Sequence, residues 1–324
     1  MSNNWFDFLS NNNAFFNSAR EVIFSSSERR TTTHSLLAGD LYITDLSWLG
    51  VIEVSGADSK IFLQGQLTND INSVTGETSQ LSGLCSPKGR LKALFSIFSN
   101  QDSDKLFLQL PYPLLEETLK RLKMFVMMSK VDLVDVSDSL IKMGVYGNTA
   151  EQHLKEYGFS IPDEVGMVSH YNNMQLIRLS GDKARFECAG SCEAIEQLWQ
   201  TLQTEAHFLN TEHWKLLDIY AGLPNVYVSS KEAFIPQMLN LQILNGINFK
   251  KGCYTGQEVI ARMQYLGKLK RRMYRAQCET HTLPMPGDKL YSAIVKSGQG
   301  TGNIVDAQYD PEGGIDCLAV ISCE

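Results

Sequence analysis

One stretch of the 324-residue chain gathers residue types that could do chemistry. Ile247 to Lys268 reads INFKKGCYTGQEVIARMQYLGK, with Cys253 behind Lys250, Lys251 and Gly252 and ahead of Tyr254, Gly256, Gln257 and Glu258. Thr255 and Glu258 have the spacing of a capping box, in which the hydroxyl accepts from the Glu258 N–H and the carboxylate reaches back to the Thr255 N–H. Val259, Met263 and Leu266 follow at helical spacing, so a helix is expected from about Gly256. A thiol just ahead of that start meets free N–H groups and the positive end of the helix dipole, and both favour a thiolate. Lys250 and Lys251 add positive charge. Gly252 and Gly256 allow a sharp bend or the close approach of a ligand. The competing reading makes Cys253 a small buried apolar residue, as most free cysteines are.

The other reactive side chains are less organised. The seven cysteines, at 85, 188, 192, 253, 278, 317 and 323, are odd in number and irregular in spacing. With no basic start followed by an apolar block at the N-terminus, they read as reduced cytoplasmic thiols rather than a disulfide framework. Cys188 and Cys192 lack two further ligands at useful spacing, and the six histidines form no HExxH pattern, so no metal site is expected. Lys268, Lys270, Arg271, Arg272 and Arg275 form a basic run in an otherwise acidic chain, 29 Lys and Arg against 36 Asp and Glu, net −7. That run is either a solvated face or a contact for an anionic partner, a glutamate tail or tRNA. The overall acidity argues against a general nucleic-acid binder. No apolar run approaches the ~18 residues that a membrane helix needs.

The elements that must position these residues read as mixed α and β. Asp40 to Gly56 predicts two strands around a turn, and Asp58 is placed to cap a helix over SKIFLQGQL. SQLSGLC, RLKALFSIF and KLFLQL predict an antiparallel meander, with a turn at Ser86 to Gly89. Pro113 can open a helix over LLEETLKRLKMF. KVDLVDV, SLIKMGVYG, NMQLIRLS and ARFECAG predict strands; NTAEQHLKEYG, CEAIEQLWQTLQ and TEHWKLLDIYAG predict helices, the last stopped by Gly222 and Pro224. After Lys270 short strands broken by Pro and Gly suggest a small all-β unit. Within it SGQGTGN resembles a phosphate loop, but no helix follows, so it reads as a turn. The N-terminal Trp5, Phe8, Leu9, Phe15 and Phe16 fit either a docking helix or a partly ordered tail.

Several segments together resemble one family. FIPQMLNLQILNGINFKKGCYTGQEVIARMQYLGKLKRRM, preceded by VSGADSKIFLQGQLTNDI, CSPKGRLKALF and HWKLLDIYAGLPNV, is similar to the YgfZ family. These are folate-binding proteins linked to iron–sulfur cluster maintenance and tRNA modification, and relatives of the glycine cleavage T-protein. The matching pieces span about Leu41 to Met273. The resemblance implies an α+β fold, a T-protein-like three-domain cloverleaf of antiparallel sheets with flanking helices and a small C-terminal β-barrel, around a hole for tetrahydrofolate or a derivative. The expected units are an N-terminal segment at 1–39, α+β domains at 40–138 and 139–270, and the barrel at 271–324. The resemblance also makes Cys253 the functional thiol, within a motif of Lys251, Gly252, Tyr254, Gly256, Gln257 and Glu258, with the folate near it. Trp48 and Trp214 match positions tied to folate contact. An aromatic face and side-chain amides suit a flat pterin with polar edges, and Gln237 and Asn240 are candidates for the amides.

The same comparison weighs against transferase chemistry. Where the T-protein carries an aspartate that helps to activate folate, this chain has Lys92 and Ala93; where it has Arg-Leu-Glu-Ala-Gly, this chain has DIYAG, with Asp218 and Tyr220. A carboxylate proton acceptor is thus missing where one-carbon transfer needs it. The expected function is a cytoplasmic folate-binding accessory protein for 4Fe–4S clusters in client enzymes, including those of tRNA modification, with client or assembly proteins as partners. The alternatives are a folate-dependent aminomethyl-type transferase and a tRNA-binding module.

Overall fold

The computed structural model describes residues 4–25, 39–102, 104–278, 280, 282–291 and 301–323. The SGQGTGN turn and the strand expected over DKLYSAIVKSG fall partly outside these residues, as does much of the 1–39 segment.

Two mixed sheet-and-helix layers face each other. The first sheet is antiparallel, in the order β5 (Gln80–Cys85), β6 (Leu91–Ser99), β7 (Lys105–Pro111), β4 (Leu49–Ser55), β8 (Asp132–Asp135). Its interior strand β6 is buried along almost its whole length, which is why it reads as a near-continuous apolar run. Helices α2 (Ser59–Gln66) and α3 (Leu115–Val126) belong to this layer. A 3₁₀ turn over Tyr112–Leu114, with Pro113 inside it, leads into α3. The second sheet has the order β10 (Val168–Tyr171), β11 (Met174–Arg178), β12 (Arg185–Gly190), β9 (Ile141–Tyr146), β3 (Tyr42–Asp45), β13 (His207–Phe208), with only the β13–β3 pair parallel. Because β3 and β4 follow one another in sequence but lie in different sheets, the chain laces the two layers together.

Helices α4 (Ala150–Tyr157), α5 (Cys192–Leu202) and α6 (Thr211–Tyr220) follow β9, β12 and β13 in the chain. In α5, Ile195, Leu198, Trp199 and Leu202 fall at helical spacing and are buried, each worth ~1.5–3 kcal/mol of transfer energy. Ser191 caps that helix by accepting from the Ala194 N–H. The N-terminal residues form a docked helix, α1 (Asn4–Asn11), and a ribbon of β1 (Ala14–Phe16) and β2 (Val22–Phe24). Trp5 and Leu9 are fully buried; Trp5 meets the edge of Trp199 and donates from Nε1 to Asp45 at 2.7 Å. The C-terminal unit is a four-stranded antiparallel sheet, β14 (Arg271–Cys278), β17 (Ile315–Ser322), β16 (Gly302–Tyr309) and β15 (Lys289–Leu290).

Two expected caps are not formed. The Asp58 side chain accepts from the distant Lys130 N–H at 2.8 Å and makes no cap bond to α2. Helix α7 (Gln257–Tyr265) begins one residue later than expected, and its N-cap is Gly256 in the left-handed region rather than Thr255. A Cβ at Gly256 would lie 2.5 Å from the Ser86 carbonyl oxygen, so the tight approach of this loop to the β5–β6 turn overrides the local capping pattern.

Candidate functional site

The expected site residues fall into two places. The first is a cavity of about 100 Å³ between the two sheets. Trp48, which precedes β4, and Trp214, in α6, line it together with Gln109, Glu187, Asp218, Leu179, Leu223 and neighbours. Both indoles are almost wholly buried and share one apolar cluster with Tyr42, Tyr146 and Leu217. Trp214 is held tightly: the Arg185 guanidinium sits 4.1 Å from its ring centroid, and a Cβ at Gly144 would collide with the ring at 2.5 Å.

Charge surrounds this cavity to a degree that the sequence reading missed. Glu187 accepts from Gln109 Nε2 at 3.0 Å, joining the two sheets. Burial raises the Glu187 carboxyl above its ordinary range, against the Gln109 hydrogen bond and the charges of Lys142 and Arg185. Arg185 forms a buried pair with Asp218 at 2.7 Å. Lys142 donates to the Leu49 carbonyl, and burial holds its ammonium down to about 8. A buried oxygen on Glu187, another on Gln109 and the Trp48 indole nitrogen have no hydrogen-bond partner among the described residues. Such groups are costly to leave buried without a partner. The signal was present: Arg185 and Glu187 alternate on one strand of RFECAG, and Lys142 interrupts an apolar strand.

The second place is the Cys253 loop. Lys251 turns inward and donates from Nζ to the Leu67 and Asn69 carbonyls at 2.7 and 2.8 Å, so its ammonium is anchored there; burial lowers it to about 8. Tyr254 is also buried, while Gly252 and Cys253 between them are exposed. The reading of Cys253 as a buried apolar residue is therefore set aside. Nothing lies within 4 Å of a Cβ built at Gly252, so packing does not require glycine there. Gln257 opens α7, and Glu258 is exposed beside it.

The two places are not contiguous. The loop packs on the β5–β6 turn at Ser86 and Gly89, whereas the cavity meets β6 at Leu94 to Ser96. At ~3.3 Å per residue that separation is roughly 20 Å along the strand. Gln237 and Asn240 join neither place. Gln237 donates to the Ile260 carbonyl and Asn240 to the Met273 carbonyl, tying down α7 and β14, while their buried amide oxygens have no hydrogen-bond partner among the described residues. Lys92 pairs with Glu232, and Ala93 is buried in the core of the first layer. Tyr220 donates to Asp310, and Arg275 of the basic run is paired with buried Asp316, while Lys268, Lys270, Arg271 and Arg272 are exposed. Among the described residues no three His, Cys, Asp or Glu side chains group to hold a metal ion, and no helix is long and apolar enough to cross a membrane.

A larger cavity of about 590 Å³ is lined by Glu21, Pro113, Lys215, Tyr227, Leu283, Met285 and Asp306, among others. Lys215 pairs with Glu21 and holds its ammonium 4.8 Å from the Trp48 ring. Tyr227 donates to Asp306, whose carboxyl is raised to about 6 by burial. A carboxyl raised in the fold contributes stability that is complete below its unfolded pKa and lost as pH rises through about 6. Asp306→Asn should therefore flatten the fall in stability between pH 4 and 6, a component on the order of 2 kcal/mol, measured by urea unfolding across that range.

No protein-family model matches the chain. Among curated proteins it is 32% identical over 275 residues to the tRNA-modifying protein YgfZ of Colwellia psychrerythraea, covering 85% of this chain and 83% of the relative. It is 31% identical over 282 residues to the protein of that name from Yersinia pseudotuberculosis, covering 87% and 84%, and 33% identical over 268 residues to that of Photorhabdus laumondii, covering 82% and 80%. Among solved structures, the glycine cleavage system aminomethyltransferase T of Bartonella henselae superposes with a TM-score of 0.78 over 98% of this chain and 88% of that one, at 14% identity. The fold is therefore that of the T-protein.

Proposed function

The chain belongs to the YgfZ family of tRNA-modifying proteins, and from that premise we propose that it binds tetrahydrofolate or a derivative and serves as an accessory factor for 4Fe–4S clusters in client enzymes, including those that modify tRNA. The observation that carries the folate reading is the cavity between the sheets. It offers two indole faces, one oxygen of the buried Glu187 carboxylate and the buried Gln109 amide oxygen, neither oxygen with a hydrogen-bond partner among the described residues. A pterin presents a flat ring and an edge of adjacent N–H donors, the complement of that set. In this reading Glu187 accepts from the pterin edge, Gln109 adds an acceptor, and Trp48 and Trp214 flank the ring. The cavity is smaller than the ~150 Å³ that holds a benzene, so entry requires the half-buried Leu179, Leu223 and Asn225 at its rim to move.

The second half of the proposal is a presented thiol. Lys251 and Tyr254 anchor the loop on both sides, and Gly252 keeps the approach to Cys253 open. That arrangement suits a sulfur offered to a partner protein or its cluster. Transferase chemistry is disfavoured because Lys92 and Ala93 occupy the expected aspartate position and the Asp218 carboxylate beside the cavity is committed to Arg185.

Tetrahydrofolate titration followed by tryptophan fluorescence tests the first half. Trp214→Ala would vacate a tightly packed site at ~3–5 kcal/mol, so Trp214→Phe and Trp48→Phe are the better variants. Each should weaken binding by on the order of 1 kcal/mol, several-fold in Kd, with a folded near-ultraviolet spectrum retained. A wild-type protein whose fluorescence and calorimetric heat do not respond to tetrahydrofolate sinks this assignment.

A further inference from the structure

Cys278 and Cys317 lie outside the cavity between the sheets and outside the Cys253 loop. They sit on the neighbouring antiparallel strands β14 and β17, with their Sγ atoms 3.5 Å apart. The register sets Ala276 opposite Cys317 and Cys278 opposite Ile315, so the two cysteines are diagonal neighbours on one face of the sheet. Cys317 is buried in the small core with Ile304, Ala307, Ile315 and Ala319, and Cys278 packs against that core half-buried. Cys278 is also the last residue of β14, so its backbone can move toward Cys317 without disturbing a longer ladder.

We infer that Cys278 and Cys317 are a reversible disulfide pair, closed by a low-molecular-weight disulfide of the glutathione class and reopened by thiols. The more accessible Cys278 thiolate attacks one sulfur of the oxidant; its S–S bond breaks, a mixed disulfide forms and one thiolate leaves. Cys317 then gives up its proton and attacks the Cys278 sulfur, releasing the second thiolate. One external disulfide is reduced to two thiols as the two protein thiols are oxidised to one disulfide, so electrons and protons balance. The first step falls to Cys278 because the Cys317 thiol is pushed up to about 12, chiefly by burial. A diagonal pair must draw its Cβ atoms in toward the ~3.8 Å of a relaxed disulfide, which makes the bond labile and suited to reversal. The closure reaches the larger cavity. Ala307, directly opposite Cys317, lines it, and so do Leu283 to Pro286, a few residues beyond Cys278.

The test uses the full chain. The protein is incubated with oxidised glutathione, quenched in acid, denatured, alkylated with N-ethylmaleimide and read by intact mass and non-reduced peptide mapping. Cys278 and Cys317 should lose alkylation together, with one peptide pair linking them, and dithiothreitol should restore alkylation at both. Cys278→Ser should abolish the linked pair and leave Cys317 open to alkylation. The inference is overturned by seven alkylated thiols after oxidation, by arrest at a glutathione adduct on Cys278, or by links that join other cysteines or two chains. It is equally overturned by stoichiometric zinc or iron on the purified protein that is lost in Cys278→Ser, since the pair would then be a metal ligand set.

Discussion

Cys253→Ser is expected to yield a folded protein that still binds tetrahydrofolate yet fails to support iron–sulfur enzymes in cells lacking the wild-type protein. The fold should survive because the side chain is exposed, while the anchors of the loop lie on either side of it. Lys251 remains on the Leu67 and Asn69 carbonyls, Tyr254 stays buried, and Gly256 keeps its close approach to Ser86. A surface substitution of this kind falls within about ±0.5 kcal/mol. Folate binding should also survive, since the cavity lies roughly 20 Å away along β6. What changes is the sulfur: an unactivated serine hydroxyl is a poor nucleophile at neutral pH and a poor ligand for soft metals. The readouts are the activity of a 4Fe–4S enzyme under oxidative stress and the level of a methylthiolated tRNA base. Full rescue by Cys253→Ser would remove the thiol from the proposal while leaving the folate half intact.

The division between what the sequence discloses and what only the fold discloses follows the range of the forces involved. Helix α5 is legible because Ile195, Leu198, Trp199 and Leu202 repeat at a period set by the helix itself. The β5 to β7 meander is legible because its strands are joined by short turns, as at Ser86 to Gly89. The fold class and family were legible through the motif around Cys253, and the relatives bear this out. Side chains whose partners are distant were misjudged. Asp58 looks like a cap until Lys130 supplies a better donor, and Thr255 until the Ser86 carbonyl leaves room only for glycine at 256. Lys251 looks like a neighbour of the thiol until its ammonium is traced to carbonyls 182 and 184 residues away in sequence. Glu187 was overlooked for the same reason, because its importance depends on Gln109 across the gap between two sheets.

Glu187→Gln should separate recognition from stability more cleanly than any substitution of the tryptophans. The side chain keeps its length and the oxygen that Gln109 Nε2 donates to, so the link between the sheets can persist. The protein should be at least as stable at pH 7, because a buried carboxylate raised by desolvation costs free energy when it ionises. Its contribution to stability is complete below the unfolded carboxyl pKa and lost as pH rises through the raised folded value, and the amide removes that dependence. Binding should move the opposite way. With Oε2 kept on Gln109, the free carboxylate oxygen Oε1 accepts from the ligand N–H, whereas a glutamine that keeps the Gln109 link sets its N–H₂ against that same donor. Loss of a charge-assisted hydrogen bond costs ~1.5–3 kcal/mol, so tetrahydrofolate should bind roughly 10- to 150-fold more weakly. In the wild type, affinity should also fall as pH drops through the raised Glu187 pKa, since protonation removes the charged acceptor, and Glu187→Gln should lose that pH dependence. Calorimetric titration of both proteins across pH 5 to 8, beside urea unfolding of each, reads these effects separately. Equal affinities with a shifted unfolding midpoint would make Glu187 a structural strut between the sheets and move the folate site elsewhere in the fold.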